Sequence, residues 1–197
     1  MNYHDAPQSC SAILAVTAAL ALTLAAGAAA AQTAGTSTCA SGGDASVAAL
    51  SRDWLLVGWE RRTGDGPLDF REKLGKYYDW SASDVIIYDD FDPEHRIVRS
   101  PAVYGAIWEP SFSALRTAHH RFALAPSILL SSDLAVATLQ FIVRLEGKDG
   151  KVTGIRVFTS LAWRCTGDGW KIVREHNSSV VLPADQVDAV MSAASDN

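Results

Sequence analysis

The sequence predicts an α+β protein: helices come first and pack inside a strongly curved antiparallel sheet. Three observations lead there. Apolar residues recur at helical spacing early in the chain, and after Leu115 the pattern changes to long runs rich in β-branched and aromatic residues. Short polar turns separate these runs, namely Ser131-Ser132-Asp133, Gly147-Lys148-Asp149-Gly150 and Thr166-Gly167-Asp168-Gly169. Helices gathered before a meander belong on one face of a sheet, not between parallel strands. The 197 residues, 48% of them hydrophobic, suit one domain with extensions and supply a core without a metal staple.

Asp44 is placed to cap the first helix, whose apolar face would carry Val47, Leu50, Trp54 and Val57. Arg61-Arg62 suit its C-terminus, and Thr63-Gly64-Asp65-Gly66 breaks it. Asp69 with Glu72 is a capping-box pattern for a shorter helix ending near Tyr78. Val85-Ile86-Ile87-Tyr88 reads as a strand. Ser100-Pro101 opens a third helix with the stripe Tyr104, Trp108, Phe112 and Leu115, which Pro110 is expected to bend or end. Strands are expected over residues 119–130, 134–146, 151–165 and 170–181. They are about twice the usual five or six residues, so the sheet must twist strongly.

Residues 12–31 carry no charge and end in Ala29-Ala30-Ala31 before Gln32, the small-x-small pattern of a cleavage site. Residues 1–31 are therefore read as a signal peptide, 32–43 as a flexible linker, 44–182 as the domain and 183–197 as a C-terminal tail. The expected location is periplasmic or secreted, with no membrane attachment after cleavage near Ala31. Met1 to Cys10 contains no Lys or Arg, so a retained N-terminal helix is the rival reading. Cys10 leaves with the leader. Cys39 and Cys165 remain, either as a disulfide that pins the linker to a strand or as two free thiols.

Seventeen basic against 22 acidic residues give a net charge of -5, which argues against a nucleic-acid partner. No phosphate loop, dinucleotide fingerprint or zinc-ligand spacing occurs, so no cofactor and no metal are expected. The acidic loop of Asp89, Asp90, Asp92, Glu94 and His95 lacks the spacing and glycine of a calcium loop and reads as a solvated turn.

This order of elements, closing on Gly169-Trp170-Lys171-Ile172-Val173-Arg174-Glu175-His176-Asn177-Ser178-Ser179, resembles the nuclear transport factor 2-like superfamily, and within it the SnoaL-like and ketosteroid-isomerase-like domains. Trp163, Asp168, Gly169 and Trp170 are similar to the last two strands of the calcium/calmodulin-dependent kinase II association domain, with one extra residue in the turn. The resemblance covers roughly residues 44–182. It implies a cone whose open end is a mostly apolar pocket, often in a homodimer paired through the outer sheet face. By the same resemblance Val173, Glu175 and Asn177 point inward, with Leu161 and Trp163 beside them. The kinase domain's arginines are absent, since their positions hold Leu161, Asn177 and Phe141. The tyrosine and paired acids of the isomerases have no position-by-position match.

The candidate catalytic residues are Glu175, His119 and Asp90. Glu175 alternates with Val173 and Asn177, and if that face is inward its pKa should rise. The reverse facing would put Ile172, Arg174 and His176 inside. His119 and His120 start a strand and point to opposite faces; the resemblance favours His119 for the pocket, against a structural histidine. Asp89 and Asp90 sit at a strand end near the expected mouth. Tyr78, Trp80, Tyr88, Tyr104, Trp108, Trp163 and Asn177 are the candidate ligand-binding residues, as aromatic rings with polar tips suit a flat apolar molecule. Asn177-Ser178-Ser179 also fits a glycosylation sequon.

The expected function is an exported protein binding a small apolar or aromatic molecule in the cone. The alternatives are a cofactor-independent isomerase or lyase using a pocket carboxylate and histidine, and a dimeric assembly module without a ligand.

Overall fold

The structure, a computed structural model, describes residues 39–193. The expected signal peptide and most of the linker lie outside them. Helix α1 spans Val47–Asp53 and opens on Ser46, whose hydroxyl accepts from the Ala49 N–H at 3.3 Å. Ser46, not Asp44, is the cap. A π-helical turn, Trp54–Gly58, follows directly. Its extra residue rotates the face, so Trp54, Leu55 and Trp59 are buried whereas Val57 is 56% exposed. A side chain at Gly58 would meet Leu74 at 2.5 Å, so this glycine lets the turn press on the next helix.

Helix α2, Phe70–Leu74, starts on Asp69, whose carboxylate accepts from the Glu72 N–H at 2.9 Å, and tightens into a 3-10 turn, Gly75–Tyr77. Helix α3, Pro101–Ala114, is capped by Ser100 and continues through Pro110. The proline sits on the exposed side, where water can serve the carbonyl it leaves unbonded. A Cβ on Gly105 would fall 2.8 Å from Phe70, so α3 lies on α2 only because that position is bare.

The sheet comprises β1 (Ile86–Asp89), β2 (Ile97–Val98), β3 (Leu115–Leu130), β4 (Leu134–Gly147), β5 (Val152–Thr166) and β6 (Gly169–Leu182). Its order is β2-β1-β6-β5-β4-β3. It is not wholly antiparallel. β1 runs parallel to β6, which sets Ile87 opposite Glu175 and Asp89 opposite Asn177. A helix and four strands separate the two in sequence, long enough for the crossover that parallel pairing needs. β2 is too short for periodicity to reveal.

Between β5 and β6 the register slips. Ala162 faces Arg174 but Trp163 faces Ile172, leaving Val173 as the extra residue of a bulge. Trp170 and Ile172 are therefore buried on one side of the bulge and Glu175 and Asn177 on the other, with Val173 buried at the switch. The curved sheet wraps an aromatic core in which Trp59 meets Trp54, Phe70 and Tyr104 edge to face.

Residues expected to form a tail instead form helix α4, Ala184–Ser192, which packs on β4 and β5 through the buried Val187. Arg144 fixes it by an ion pair of 2.6 Å to Asp188. At the other end Cys39 and Cys165 form a disulfide with a Cα–Cα distance of 5.8 Å, and the Trp170 indole N–H donates to the Ala40 carbonyl at 2.9 Å. Among the described residues no helix is long and apolar enough to cross a membrane. The bridge closes a sequence separation of 126 residues. Converting both cysteines to serine is expected to cost about 2–5 kcal/mol, read as a lower urea midpoint with a steeper slope, since the unbridged unfolded chain exposes more surface.

Candidate functional site

The mouth of the cone leads to a cavity of about 360 Å³. The α1 end and π turn supply Trp54 and Trp59, α3 supplies Tyr104 and Trp108, and β6 supplies Glu175 and Asn177. The lining is largely apolar, so its polar groups stand out by their placement.

Glu175 is 2% exposed, and its carboxylate is solvated by the protein. The Tyr78 hydroxyl donates to Oε2 at 2.7 Å and in turn accepts from the Trp54 indole N–H at 3.0 Å. Oε1 lies 2.9 Å from the Tyr104 hydroxyl and accepts from the Asn177 amide at 2.8 Å. The same two groups reach Asp89 Oδ2, at 3.1 and 3.0 Å. Thr159 donates to Asn177 Oδ1 at 2.7 Å, which turns the amide so that its NH₂ faces both acids.

The proton count decides how this cluster behaves. Asn177 has two hydrogens, one for each carboxylate, but Tyr104 has only one. With both acids ionised, one of them would face a hydroxyl lone pair. One added proton resolves this: Glu175 donates to Tyr104, and Tyr104 donates to Asp89. Burial first, then the nearby Asp89 charge, pushes Glu175 up to about 7 against the pull of its three donors. Burial also raises Asp89. Both tyrosines are pushed well above their usual value, by burial and by Glu175, and remain donors.

The histidine pair divides in the opposite sense to the expectation. His120 lines the cavity, whereas His119 is not among its walls and has a side chain 44% exposed. Strand alternation allows only one of them inside, and the register of β3 selects His120. Both sit on Glu60, which no local spacing marks. Its Oε1 meets His119 Nδ1 at 2.6 Å, and its Oε2 accepts from the His120 backbone N–H at 3.1 Å. His120 Nδ1 lies 3.5 Å from Oε2, too long for a formed bond, and so it has no hydrogen-bond partner among the described residues. Burial opposes ionisation of Glu60, but contact with His120 and then His119 outweighs it and lowers the carboxyl to about 2. Burial lowers His120, so near pH 7 its ring is neutral.

Of the remaining candidates, Tyr104, Trp108 and Asn177 line the cavity with Glu175. Tyr78 supports Glu175 from outside the lining. Asp89 takes the place expected for Asp90, whose carboxylate instead accepts from the Ser179 hydroxyl at 2.6 Å and its N–H at 2.8 Å. Trp80, Tyr88 and Trp163 do not line the cavity. Trp80 donates to the Gly75 carbonyl beneath Arg71, Tyr88 packs on His176, and Trp163 is fully buried in the core. The buried Asn177 amide is engaged in this network, so the folded chain does not present it as a glycosylation site. In the acidic loop, Asp92 is held by Arg96 at 2.7 Å.

A six-stranded curved sheet around a polar-floored pocket defines a nuclear transport factor 2-like cone. Residues 74–183 match the SnoaL-like domain, and the chain belongs to that family. A Kribbella flavida protein of known structure is 16% identical, with 61% of this chain and 84% of that one covered and a TM-score of 0.50. A conserved protein from Planctomyces limnophilus is 17% identical over 68% of this chain and 92% of that one, at 0.49. The association domain of the C. elegans kinase CaMKII is 14% identical over 54% and 78%, at 0.42. Curated proteins yield no match.

The raised Glu175 has a pH signature. Between about pH 4.5 and 7 the native state keeps a proton that the unfolded chain releases, so this group's contribution to stability falls as pH rises through that window. The expected loss is roughly 3 kcal/mol, at 1.36 kcal/mol per pKa unit. Urea denaturation across this range should show that slope in the wild type and lose it in Glu175→Gln. An unchanged slope would assign the proton to another group.

Proposed function

We propose that the protein binds a small, largely apolar or aromatic molecule in the cone. The observation that carries this reading is the apolar cavity of about 360 Å³ lined by the rings of Trp54, Trp59, Tyr104 and Trp108. A ligand with a flat apolar body fits that chemistry. Trp108→Ala is expected to weaken such a ligand at least tenfold in calorimetry while Glu175→Gln leaves it nearly unchanged. Equal binding by Trp108→Ala would remove this reading.

A second reading, a cofactor-independent isomerase or lyase, is favoured by one specific arrangement. A neutral His120 and a glutamic acid near 7 line one largely apolar cavity. Glu60 lies on the Nδ1 side of His120, leaving Nε2 as the basic nitrogen. His120 would take a proton from the ligand and Glu175 would give one at a second atom; His120 then releases its proton to solvent and Glu175 takes one back from solvent, which resets both groups. The exchange is proton-neutral and needs no cofactor. His120→Gln and Glu175→Gln should each then lower turnover by about 10²–10⁴ with binding retained. Binding without turnover for every ligand that fits would leave the binding role alone.

The chain is proposed to act as an exported homodimer. A disulfide suits an oxidising compartment. Leu124, Leu129, Val136, Phe158 and Val180 are exposed on four adjoining strands, with Leu129 paired to Val136. A second copy laid against this sheet face would cover them. Sedimentation is expected to give a dimer, and Phe158→Asp a folded monomer.

A further inference from the structure

A second cavity, of about 300 Å³, adjoins the first: Leu115 lines both, and the β4–β5 hairpin contributes Lys148 to one and Asp149 and Lys151 to the other. Its walls differ in character. Arg61, Arg116 and Lys148 face a single acid, Asp65.

Arg61 is the unusual group. It is 6% exposed, yet among the described residues no carboxylate pairs with it. Nε donates to the Leu115 carbonyl at 2.9 Å, Nη1 to Gly66 at 2.8 Å and Nη2 to Asp65 at 3.1 Å, all backbone oxygens. A guanidinium has five N–H groups, so one hydrogen on each Nη remains. The Asp65 carboxylate accepts from the Arg62 N–H at 2.9 Å. A buried cation held only by carbonyl dipoles favours an added anion.

Two further cations line this cavity. Arg116 pairs with one oxygen of Glu146, whose other oxygen takes Arg144 at 2.9 Å, and Arg144 is also paired with Asp188. Lys148 has no ion-pair partner among the described residues. Pinning the loop of residues 61–67 accounts for the three carbonyl contacts of Arg61. It does not account for Arg116 and Lys148 on the same cavity.

We infer that this cavity is an oxyanion site, recognising a phosphate, sulfate or carboxylate group through Arg61, Arg116 and Lys148. The inference stands apart from the reading of the cone. Two sources share this chemistry: a free inorganic anion, and the acidic end of a molecule whose apolar part fills the adjoining cavity.

The test compares the wild type with the double variant Arg116→Ala/Lys148→Ala, which spares the buried Arg61. Thermal melting is followed against inorganic phosphate, with chloride at matched ionic strength as the control. Phosphate stabilises proteins generally by exclusion, which rises with concentration without saturating. The site predicts an added, saturable rise in melting temperature that is at least tenfold weaker in half-saturating concentration for the double variant. A non-saturating rise equal in both proteins, or a saturable rise that survives the substitutions, overturns it. Octanoate and octanol then separate the sources. Tighter binding of octanoate, lost in the double variant, assigns the anion to the cone's ligand, whereas equal binding of the two assigns it to a free ion.

Discussion

Glu175 is a carboxylate in a cavity lined mainly by aromatic and aliphatic side chains, and its desolvation constrains everything around it. An ionised carboxylate in such surroundings costs several kcal/mol unless the chain replaces its lost water. Three separate elements do so. Tyr78 comes from the segment after the 3-10 turn, Tyr104 from α3 and Asn177 from β6 itself, and the last two are shared with Asp89 of the parallel neighbour β1. Thr159 on β5 and Trp54 on the π turn hold the donors in turn. The helices are thereby tied to the sheet by polar contacts as well as by aromatic packing.

The backbone irregularities serve the same geometry. The π turn brings Trp54 to the Tyr78 hydroxyl while keeping Leu55 and Trp59 buried. The bulge at Val173 changes the phase of β6, so that two apolar residues below it and two polar residues above it share the concave face. The parallel pairing of β1 with β6 then sets Asp89 beside Asn177. Each departure from regular structure places one member of the cluster. Around it, a neutral His120 and an ionised Glu60 give the other side of the cavity the opposite proton preference.

Much of the fold was legible because local chemistry encodes it. Asp69 and Ser100 cap the helices expected of them, and the polar turns bound the four long strands within a few residues. The failures share a cause. Val57 follows a 3.6-residue period that a π turn interrupts, and Pro110 is tolerated because of its exposed side. Glu60 was invisible because its partners lie about sixty residues away on another element. Choosing between His119 and His120, or Asp89 and Asp90, requires the facing of a strand, which adjacent residues alone cannot give.

The sequence by itself determined the kinds and order of most elements, because periodicity, capping and turn residues act over a few positions, and a family resemblance singled out Glu175 and Asn177 as inward candidates. The tertiary structure decided which aromatic rings reach the cavity and which pack elsewhere. It also decided that two acids share one tyrosine, and that a buried guanidinium has no carboxylate paired with it among the described residues. Those outcomes depend on register, a bulge and a crossover, each of which brings together residues far apart in the chain. Protonation follows from that convergence: a carboxyl group is set near 7 by what surrounds it in space.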